Sequence, residues 1–236
     1  MERPVAVVAG GGSGIGQATA LALARQGYHL VLVGRTPEKL EATAAEIVRG
    51  GGSAACFPAD VRDWDRLGEL QALVADRGVD LLVNSAGGQF YAPSEEITRG
   101  GWNAVVELNL SGSFFLCRQL LPALRLRRGS VVMVVADIWR KAAPGLVHSA
   151  AARAGVVSLV RTLALEWAGA GIRVNAVSPG LTDTAALLDR YAGLVEKTPL
   201  GRIGRVDEMV DAILFMARSA YITGEVLTVD GGLHLV

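Results

Sequence analysis

A glycine-rich segment near the start of the chain has the composition of a phosphate-binding turn. The seven residues GGGSGIG follow the apolar run Val5–Ala9 and precede a stretch rich in Ala and Leu. Backbone N–H groups and the helix dipole at a helix N-terminus favour anions, and glycine lets the ligand come close. The spacing is G-x-x-x-G-x-G rather than G-x-G-x-x-G. We therefore predict that the pyrophosphate of a dinucleotide is held by Gly10, Gly12, Ser13, Gly14, Ile15 and Gly16.

The end of the second predicted strand indicates which dinucleotide binds. An NAD site carries an acidic residue there, which accepts a hydrogen bond from the ribose 2′-hydroxyl. This chain has Gly34, Arg35 and Thr36 instead. The guanidinium of Arg35 can form a charge-assisted pair with a 2′-phosphate. We therefore expect NADP(H) as the cofactor; the alternative is that Arg35 is a solvated residue after a strand.

Residues that follow the third and fourth predicted strands are expected to complete the cofactor site. Asp60 and Val61 follow the third strand, where the Asp60 carboxylate can accept a hydrogen bond from the adenine amino group. Small residues follow the fourth strand and leave room for the cofactor ribose. Of these, we predict cofactor contacts from Asn84, Ala86 and Gly87.

The elements that must position these residues alternate along the chain. Short Val-rich runs predict the buried strands Val5–Ala9, Leu30–Val33, Ala54–Phe57, Leu81–Val83, Val131–Val135, Ile172–Val177 and Val226–Val229. Helical patterns lie between them, at Gly14–Gln26, Pro37–Arg49, Trp64–Asp76, Gly101–Arg127, Ala150–Trp167 and Val206–Arg218. Such alternation predicts an α/β fold of the Rossmann type: a doubly wound, seven-stranded parallel sheet in a single domain over residues 1–236. The segment Thr182–Thr198 has neither pattern and is the candidate for a mobile flap over the site.

Composition excludes several other classes of protein. Apolar residues make up 51% of the chain and charged residues 19%, so disorder is not expected. The 23 basic residues balance the 23 acidic ones, so we expect no nucleic-acid surface. Two distant cysteines and three unclustered histidines predict neither a disulfide scaffold nor a metal site. No apolar run reaches membrane or signal length, so we expect a cytoplasmic protein with no membrane segment.

Motifs spread over nearly the whole chain resemble those of the short-chain dehydrogenase/reductase family. The resemblance implies the strand order 3-2-1-4-5-6-7, cofactor contacts from Pro179, Gly180 and Thr182, and a homotetramer. The motifs that carry it are Ala9–Gly16, Asp60–Val61, Asn84–Gly87, Asn109, Arg173–Gly180 with Thr182 and Thr184, and Ile222–Gly232.

The catalytic set departs from that family, whose members usually carry Asn, Ser, Tyr and Lys. Asn109 matches, whereas Ala136 stands at the Ser position, Ser149 at the Tyr position and Arg153 at the Lys position. A Ser hydroxyl is a far weaker acid than an activated phenol, and a guanidinium does not deprotonate in proteins. We expect Asn109, Ser149 and Arg153 to form the catalytic set, with Arg153 also holding the nicotinamide ribose.

Three segments resemble one group within the family, the trans-2-enoyl-CoA reductases, and more distantly the 2,4-dienoyl-CoA reductases. They are Gly87–Phe90, His148–Gly155 and Leu163–Trp167, although Val157 stands where the first group has a Tyr. The resemblance implies NADPH-dependent reduction of a C=C bond conjugated to a thioester. In that reaction the thioester oxygen needs hydrogen-bond donors and not a full proton. The expected partner is a small-molecule substrate, with acyl-CoA as the leading candidate.

Two other functions stay open at the level of sequence. The replaced catalytic residues favour a catalytically degenerate protein, which binds NADP(H) and serves as a binding or scaffolding protein without catalysing a reaction. Ordinary carbonyl reduction is the third hypothesis, with His148 or Tyr91 as an atypical proton donor. Asp137 is a candidate acid in the nicotinamide pocket; the alternative is a cap or a surface residue. Arg140 or Lys141 is a candidate contact for an acyl-CoA phosphate; the alternative is an exposed charge.

Overall fold

Seven strands form one parallel sheet in the computed structural model, which describes residues 3–184 and 192–236. Their spatial order is β3-β2-β1-β4-β5-β6-β7, as the resemblance implied. Each strand is short and most are buried, because helices cover both faces of the sheet. The strands are β1 (Val5–Ala9), β2 (His29–Gly34), β3 (Ser53–Pro58), β4 (Leu81–Asn84), β5 (Ser130–Val134), β6 (Arg173–Pro179) and β7 (Val226–Val229).

Helices connect these strands. They are α1 (Gly14–Arg25), α2 (Pro37–Arg49), α3 (Trp64–Val74), α4 (Arg99–Val106), α5 (Gly112–Arg127), α6 (Val147–Trp167), α7 (Ala192–Val195) and α8 (Val206–Arg218). None of the helices in the described ranges is long and apolar enough to cross a membrane. No group of three or more metal-ligating side chains occurs within those same ranges.

Alternate residues of β1 face two separate cores, which makes the sheet doubly wound. Val5 and Val7 pack with residues of α3, α5 and α6 on one face. Ala6 and Val8 pack with residues of α1, α2 and α8 on the other face. Because all neighbouring strands are parallel, their carboxyl ends share one edge of the sheet, where ligands of such folds bind.

The helix predicted over Gly101–Arg127 is observed without a break from Arg99 to Arg127, but it is not α-helical throughout. A π-helical turn at Glu107–Ser111 separates α4 from α5. The Asn109 side chain donates to the carbonyl of Val105 over 2.8 Å, and the Ser113 hydroxyl donates to the carbonyl of Asn109 over 2.6 Å. Side chains thus take acceptors that an α-helical ladder would use. The turn places Asn109 beside the carboxyl edge of the sheet, as π-helical turns often do at functional sites.

The predicted flap Thr182–Thr198 lies partly outside the described residues. Thr182 forms a parallel bridge with Gly204, and α7 precedes Thr198, which is buried. Residues 185–191 between them are not described. The mobile-flap hypothesis therefore stays a prediction.

Candidate active site

The turn after β1 can be built only with glycine at key positions. Gly10 has φ +78° and Gly14 has φ +53°, in the region that L side chains rarely adopt. A Cβ at Gly10 would lie 2.9 Å from the carbonyl carbon of Ser85, and one at Gly16 would collide with the carbonyl of Gly10. The Ser13 hydroxyl makes no capping hydrogen bond to α1. The first N–H groups of that helix therefore remain available to an anion.

An open cleft runs from this turn along the carboxyl edge of the sheet. Gly10, Gly12 and Ser13 line it on one side, with Ile15 and Gly16 in the helix behind them. Arg35 and Lys39 also line it, on the side where α2 begins. Both cations are exposed, and neither has an ion-pair partner in the described parts of the chain. Lys39 was not predicted from the sequence. It lies four residues after Arg35, in the first turn of α2, and this spacing indicates that the two side chains are on the same side.

Asp60 and Val61 form the opposite wall of the cleft. The Asp60 carboxylate accepts hydrogen bonds from the backbone N–H and the Nε of Arg62, each over 3.0 Å, and pairs with a terminal guanidinium nitrogen over 2.6 Å. These bonds, opposed by partial burial, hold the pKa of Asp60 below its ordinary value. Asp60 is therefore charged and fixed, and its pairing leaves Arg62 less free than Arg35 to meet a phosphate.

Small residues after β4 form the floor of the cleft. Ser85, Ala86 and Gly87 line it, whereas Asn84 is buried behind them. Asn84 accepts from the N–H of Ala86 over 3.1 Å and donates to the Ser113 hydroxyl over 2.8 Å. It thus holds the end of the strand in position. Ser85 is a wall residue that the sequence analysis did not single out.

Asn109 holds the loop that leaves β4. Its Oδ1 accepts from the N–H of Gly88 over 3.2 Å, and its Nδ2 donates to the Gly88 carbonyl over 2.8 Å. With the bond to Val105, both polar atoms of this fully buried amide are used. The structure places Asn109 beside the loop, and its side chain supports the backbone there.

Ser149 lies at the start of α6 and is covered. It has no exposed surface, and its Oγ donates to the Oε1 of Gln89 over 2.8 Å. Gln89 itself is exposed, on the loop that Asn109 holds. The structure thus joins Ser149 to a residue that the sequence analysis named only as part of Gly87–Phe90.

Arg153 lies one turn further along α6, with its guanidinium beside Gly87. One terminal nitrogen donates to the carbonyl of Val134 over 2.9 Å, and a Cβ at Gly87 would lie 2.5 Å from the other. The Nε is inaccessible and has no hydrogen-bond partner. Burial lowers the pKa of Arg153 to about 10, so the group is still charged at neutral pH. The guanidinium thus places a positive charge beside Gly87, which lines the cleft.

The loop after β5 uses its polar groups within the protein. Asp137 is buried and pairs with Lys141 over 2.8 Å. Lys141 also donates to the carbonyl of Leu233 over 3.2 Å. The indole of Trp139 donates to the Ser178 hydroxyl over 3.2 Å. Ala136, which precedes this loop, supplies no polar side-chain atom.

The two candidate proton donors of the carbonyl-reductase hypothesis differ in exposure. His148 has no exposed surface and its ring contacts that of Phe90 edge-on, with centroids 4.4 Å apart. Burial lowers its pKa, and the carbonyl of Leu146 partly offsets this shift. Tyr91 is partly exposed on the loop after Phe90, and a Cβ at Gly145 would lie 3.3 Å from its ring.

The predicted cofactor contacts Pro179, Gly180 and Thr182 lie at the carboxyl end of β6. The Gly180 N–H donates to the Val229 carbonyl over 3.0 Å, and a Cβ at Gly180 would lie 2.6 Å from the Cβ of Asp230. Glycine is needed there for that close approach. Pro179 and Thr182 are buried on either side of it. The Thr182 hydroxyl donates to the Gly180 carbonyl over 3.2 Å.

Comparisons with known proteins extend over almost the whole chain. The family model described as "Enoyl-(Acyl carrier protein) reductase" matches residues 9–234. The "Probable 2,4-dienoyl-CoA reductase" of Bacillus subtilis is 38% identical over 98% of this chain and 97% of its own length. A 3-oxoacyl-(acyl-carrier-protein) reductase of Thermotoga maritima is 34% identical over 99% of this chain and 98% of its own.

Solved structures agree in fold with this chain. The citronellol catabolism dehydrogenase of Pseudomonas aeruginosa superposes with a TM-score of 0.88 at 39% identity, over 98% of this chain and 95% of that one. A structure from Beutenbergia cavernae, named for NAD(P)-dependent gluconate 5-dehydrogenase activity, contains NADP at low occupancy. It has a TM-score of 0.93 and 37% identity, over 99% of this chain and 97% of that one. This chain belongs to the short-chain dehydrogenase/reductase family of oxidoreductases.

Proposed function

We propose that the protein is an NADPH-dependent reductase of the C=C bond in a 2-enoyl or 2,4-dienoyl thioester. The observation that carries this proposal is the covered state of Ser149. It stands at the position of the usual acid, but it has no exposed surface and its hydrogen is donated to Gln89. Ala136 and Arg153 stand at the usual Ser and Lys positions, so the set contains no side chain that could act as the usual acid.

The residues of the cleft fit NADP(H). The glycine turn and the N-terminus of α1 would hold the pyrophosphate, and Arg35 with Lys39 would meet the 2′-phosphate. The terminal guanidinium nitrogen of Arg153 that lies beside Gly87 would donate to the hydroxyl groups of the nicotinamide ribose. The dinucleotide, when bound, supplies a hydride. The NADP in the Beutenbergia cavernae structure supports the same assignment for this chain.

The missing acid determines which reaction suits the site. Reduction of a ketone leaves an alkoxide, which needs a full proton from an acid of suitable pKa. Reduction of a conjugated C=C bond leaves an enolate, whose oxygen needs only hydrogen-bond donors. The α-carbon can then take its proton from water. The relative named as a 2,4-dienoyl-CoA reductase supports this substrate class.

Oxidation of NADPH by the purified protein tests the proposal. Substrates would be crotonyl-CoA, longer trans-2-enoyl-CoA esters and 2,4-hexadienoyl-CoA, with acetoacetyl-CoA as the carbonyl comparator. We expect NADPH loss with an enoyl or dienoyl ester and a product two hydrogens heavier by mass spectrometry. No turnover with any of these esters, in protein that binds NADPH, would overturn the proposal.

The comparator also tests the second candidate function, which is carbonyl reduction. The relative named as a 3-oxoacyl reductase favours that candidate. Faster turnover of acetoacetyl-CoA than of every enoyl ester would support it. Protein that binds NADPH and reduces nothing would instead support the scaffolding hypothesis.

We further propose that the protein is cytoplasmic and forms a homotetramer. Light scattering at several protein concentrations would test the oligomeric state, and a monomer at all of these concentrations would contradict it.

A further inference from the structure

We propose that Gln89 donates the hydrogen bond to the thioester oxygen and that Ser149 is the positioning residue that orients its amide. This inference rests on the proposed function and names the donor which that reaction requires. Neither residue would transfer a proton to the oxygen. Gln89 would be the catalytic residue in the strict sense, because its amide would touch the substrate.

Exposure separates the two residues. Ser149 has no exposed surface, whereas Gln89 is exposed and bonded directly to it. A substrate oxygen could reach the Ser149 hydroxyl only if the surrounding protein moved and the bond to Gln89 were broken. The amide of Gln89 can be reached without such a movement.

The direction of the hydrogen bond between Ser149 and Gln89 also favours Gln89 as the donor to the substrate. A hydroxyl has one hydrogen, and that of Ser149 is donated to the Oε1 of Gln89 over 2.8 Å. An amide with its oxygen fixed in this way has its Nε2 on the other side of the same planar group. Nε2 carries two hydrogens and has no protein acceptor in the described parts of the chain. Two donors therefore remain for a ligand.

The backbone that carries Gln89 is held in place on two sides. Asn109 bonds both the N–H and the carbonyl of Gly88, the residue just before it. The guanidinium of Arg153 lies against Gly87, one residue earlier. A donor that is fixed before the charge develops stabilises that charge at little reorganisation cost. Arg153 adds positive charge on the same side of the loop.

The reaction balances with an amide as the donor. Hydride from NADPH adds at the β-carbon, and the π-electron pair of the C=C bond shifts towards the carbonyl to give an enolate. Gln89 holds the enolate oxygen by a hydrogen bond and keeps its own proton. Water then gives a proton to the α-carbon and leaves as hydroxide, and the carbonyl re-forms. The substrate gains one hydride and one proton, and NADPH becomes NADP⁺.

Gln89→Met tests the donor, because methionine has nearly the same shape and no N–H group. We expect kcat with the active thioester to fall about 10²- to 10³-fold, the range for loss of one oxyanion donor. KM and the Kd of NADPH should change no more than a few-fold. Gln26→Met, at an exposed glutamine at the end of α1, is the matched control and should keep wild-type kcat. Ser149→Ala should lower kcat less than Gln89→Met does.

A spectroscopic readout separates this inference from the proposed function. The complex of protein, NADP⁺ and butyryl-CoA labelled with ¹³C at the carbonyl should show an infrared carbonyl band at lower frequency than in water. Gln89→Met should move the band back, whereas Gln26→Met should not.

The two hypotheses then fail differently. A wild-type protein that reduces enoyl thioesters, while Gln89→Met keeps kcat within about three-fold, would overturn the role of Gln89 and leave the proposed function intact. A greater loss in Ser149→Ala than in Gln89→Met would make Ser149 the donor. If the wild-type protein reduces no thioester, the proposed function is wrong. If its complex with NADP⁺ and labelled butyryl-CoA also shows no shift of the carbonyl band, the role of Gln89 as hydrogen-bond donor is wrong as well.

Discussion

The side chain of Asn109 pairs with both backbone polar groups of Gly88, accepting from its N–H and donating to its carbonyl. We expect Asn109→Ala to lower the free energy of unfolding by about 2–3 kcal/mol, because buried backbone groups lose their partners. We also expect a large loss of kcat, because the loop that carries Gln89 is released. Urea denaturation and steady-state kinetics with the active thioester would measure the two effects.

Ser113→Ala is the control for that change. The Ser113 hydroxyl donates to the carbonyl of Asn109 and accepts from the Asn84 amide, and neither bond involves the backbone of Gly88. It should destabilise the fold by a similar amount and leave kcat much closer to that of the wild type. Equal losses of kcat in both variants would mean that the activity follows stability alone.

Arg35 should determine the preference for NADPH over NADH. Arg35→Ser removes a charged partner of the 2′-phosphate, and such bonds contribute about 1.5–3 kcal/mol. The Kd of NADPH, measured by fluorescence titration, should therefore rise roughly 10- to 100-fold. The Kd of NADH should hardly change. Arg35→Asp should additionally favour NADH, since a carboxylate can accept from the ribose 2′-hydroxyl.

Arg49→Ser provides a matched control for the charge, because Arg49 lies at the opposite end of α2. It should leave both dissociation constants unchanged. Lys39→Met should weaken NADPH binding less than Arg35→Ser does, because a lysine ammonium is a single point charge and cannot bind a phosphate with two parallel hydrogen bonds. Equal weakening of NADPH and NADH in Arg35→Ser would show that Arg35 does not meet the 2′-phosphate.

Gly16 should be replaceable only at a cost to both stability and cofactor binding. In Gly16→Ala the new Cβ would collide with the carbonyl of Gly10, which is backbone and cannot rotate away. We expect a loss of about 1–3 kcal/mol or more, and a melting temperature several degrees lower. NADPH affinity should fall as well. Gly169→Ala is the control, because nothing lies within 4 Å of its added Cβ; an equal drop there would contradict the steric explanation.

The strands were the most predictable part of this molecule. Buried parallel strands read as uninterrupted Val-rich runs, and each predicted end lies within two residues of the observed one. The phosphate turn was predictable for a similar reason, since the positive φ at Gly10 and the close approach of the Gly10 carbonyl to Gly16 both require glycine. These features are local in sequence, so the chain itself reveals them.

The contacts that define the chemistry were not predictable in this way. Gln89 and Ser149 are 60 residues apart in sequence, and only the tertiary fold brings them together. At the π-helical turn Glu107–Ser111, the side chains of Asn109 and Ser113 donate hydrogen bonds to backbone carbonyls. The spacing of apolar residues does not reveal hydrogen bonds of this kind. Ser149 matched a family position, yet its burial and its bond to Gln89 depend on the tertiary fold and cannot be inferred from the sequence.

Acidification should destabilise the protein partly through His148. Its pKa is lowered by burial, so below the ordinary value of 6.5 the unfolded chain binds a proton that the folded protein does not. The free energy of unfolding therefore falls as the pH drops below 6.5. His148→Asn should reduce this slope in melting curves between pH 7.5 and pH 5.5. Its kcat should stay near that of the wild type, because the ring has no exposed surface.

His29 has a lowered pKa for the same first reason, partial burial, with Arg77 and Arg3 adding to the shift. His29→Asn should therefore remove a further part of the slope without any effect on activity. A loss of kcat above ten-fold in His148→Asn alone would favour the hypothesis that His148 donates a proton.

Arg153 carries a charge that no carboxylate neutralises within the described parts of the chain. An uncompensated charge at a partly buried position costs free energy of folding, and a dinucleotide that uses its donors offsets that cost. Binding then raises stability by mass action, in proportion to the logarithm of the free ligand concentration. Inside a cell, the lifetime of this protein against proteolysis would accordingly follow the size of the nucleotide pool, so depletion of NADP(H) would reduce its abundance as well as its activity.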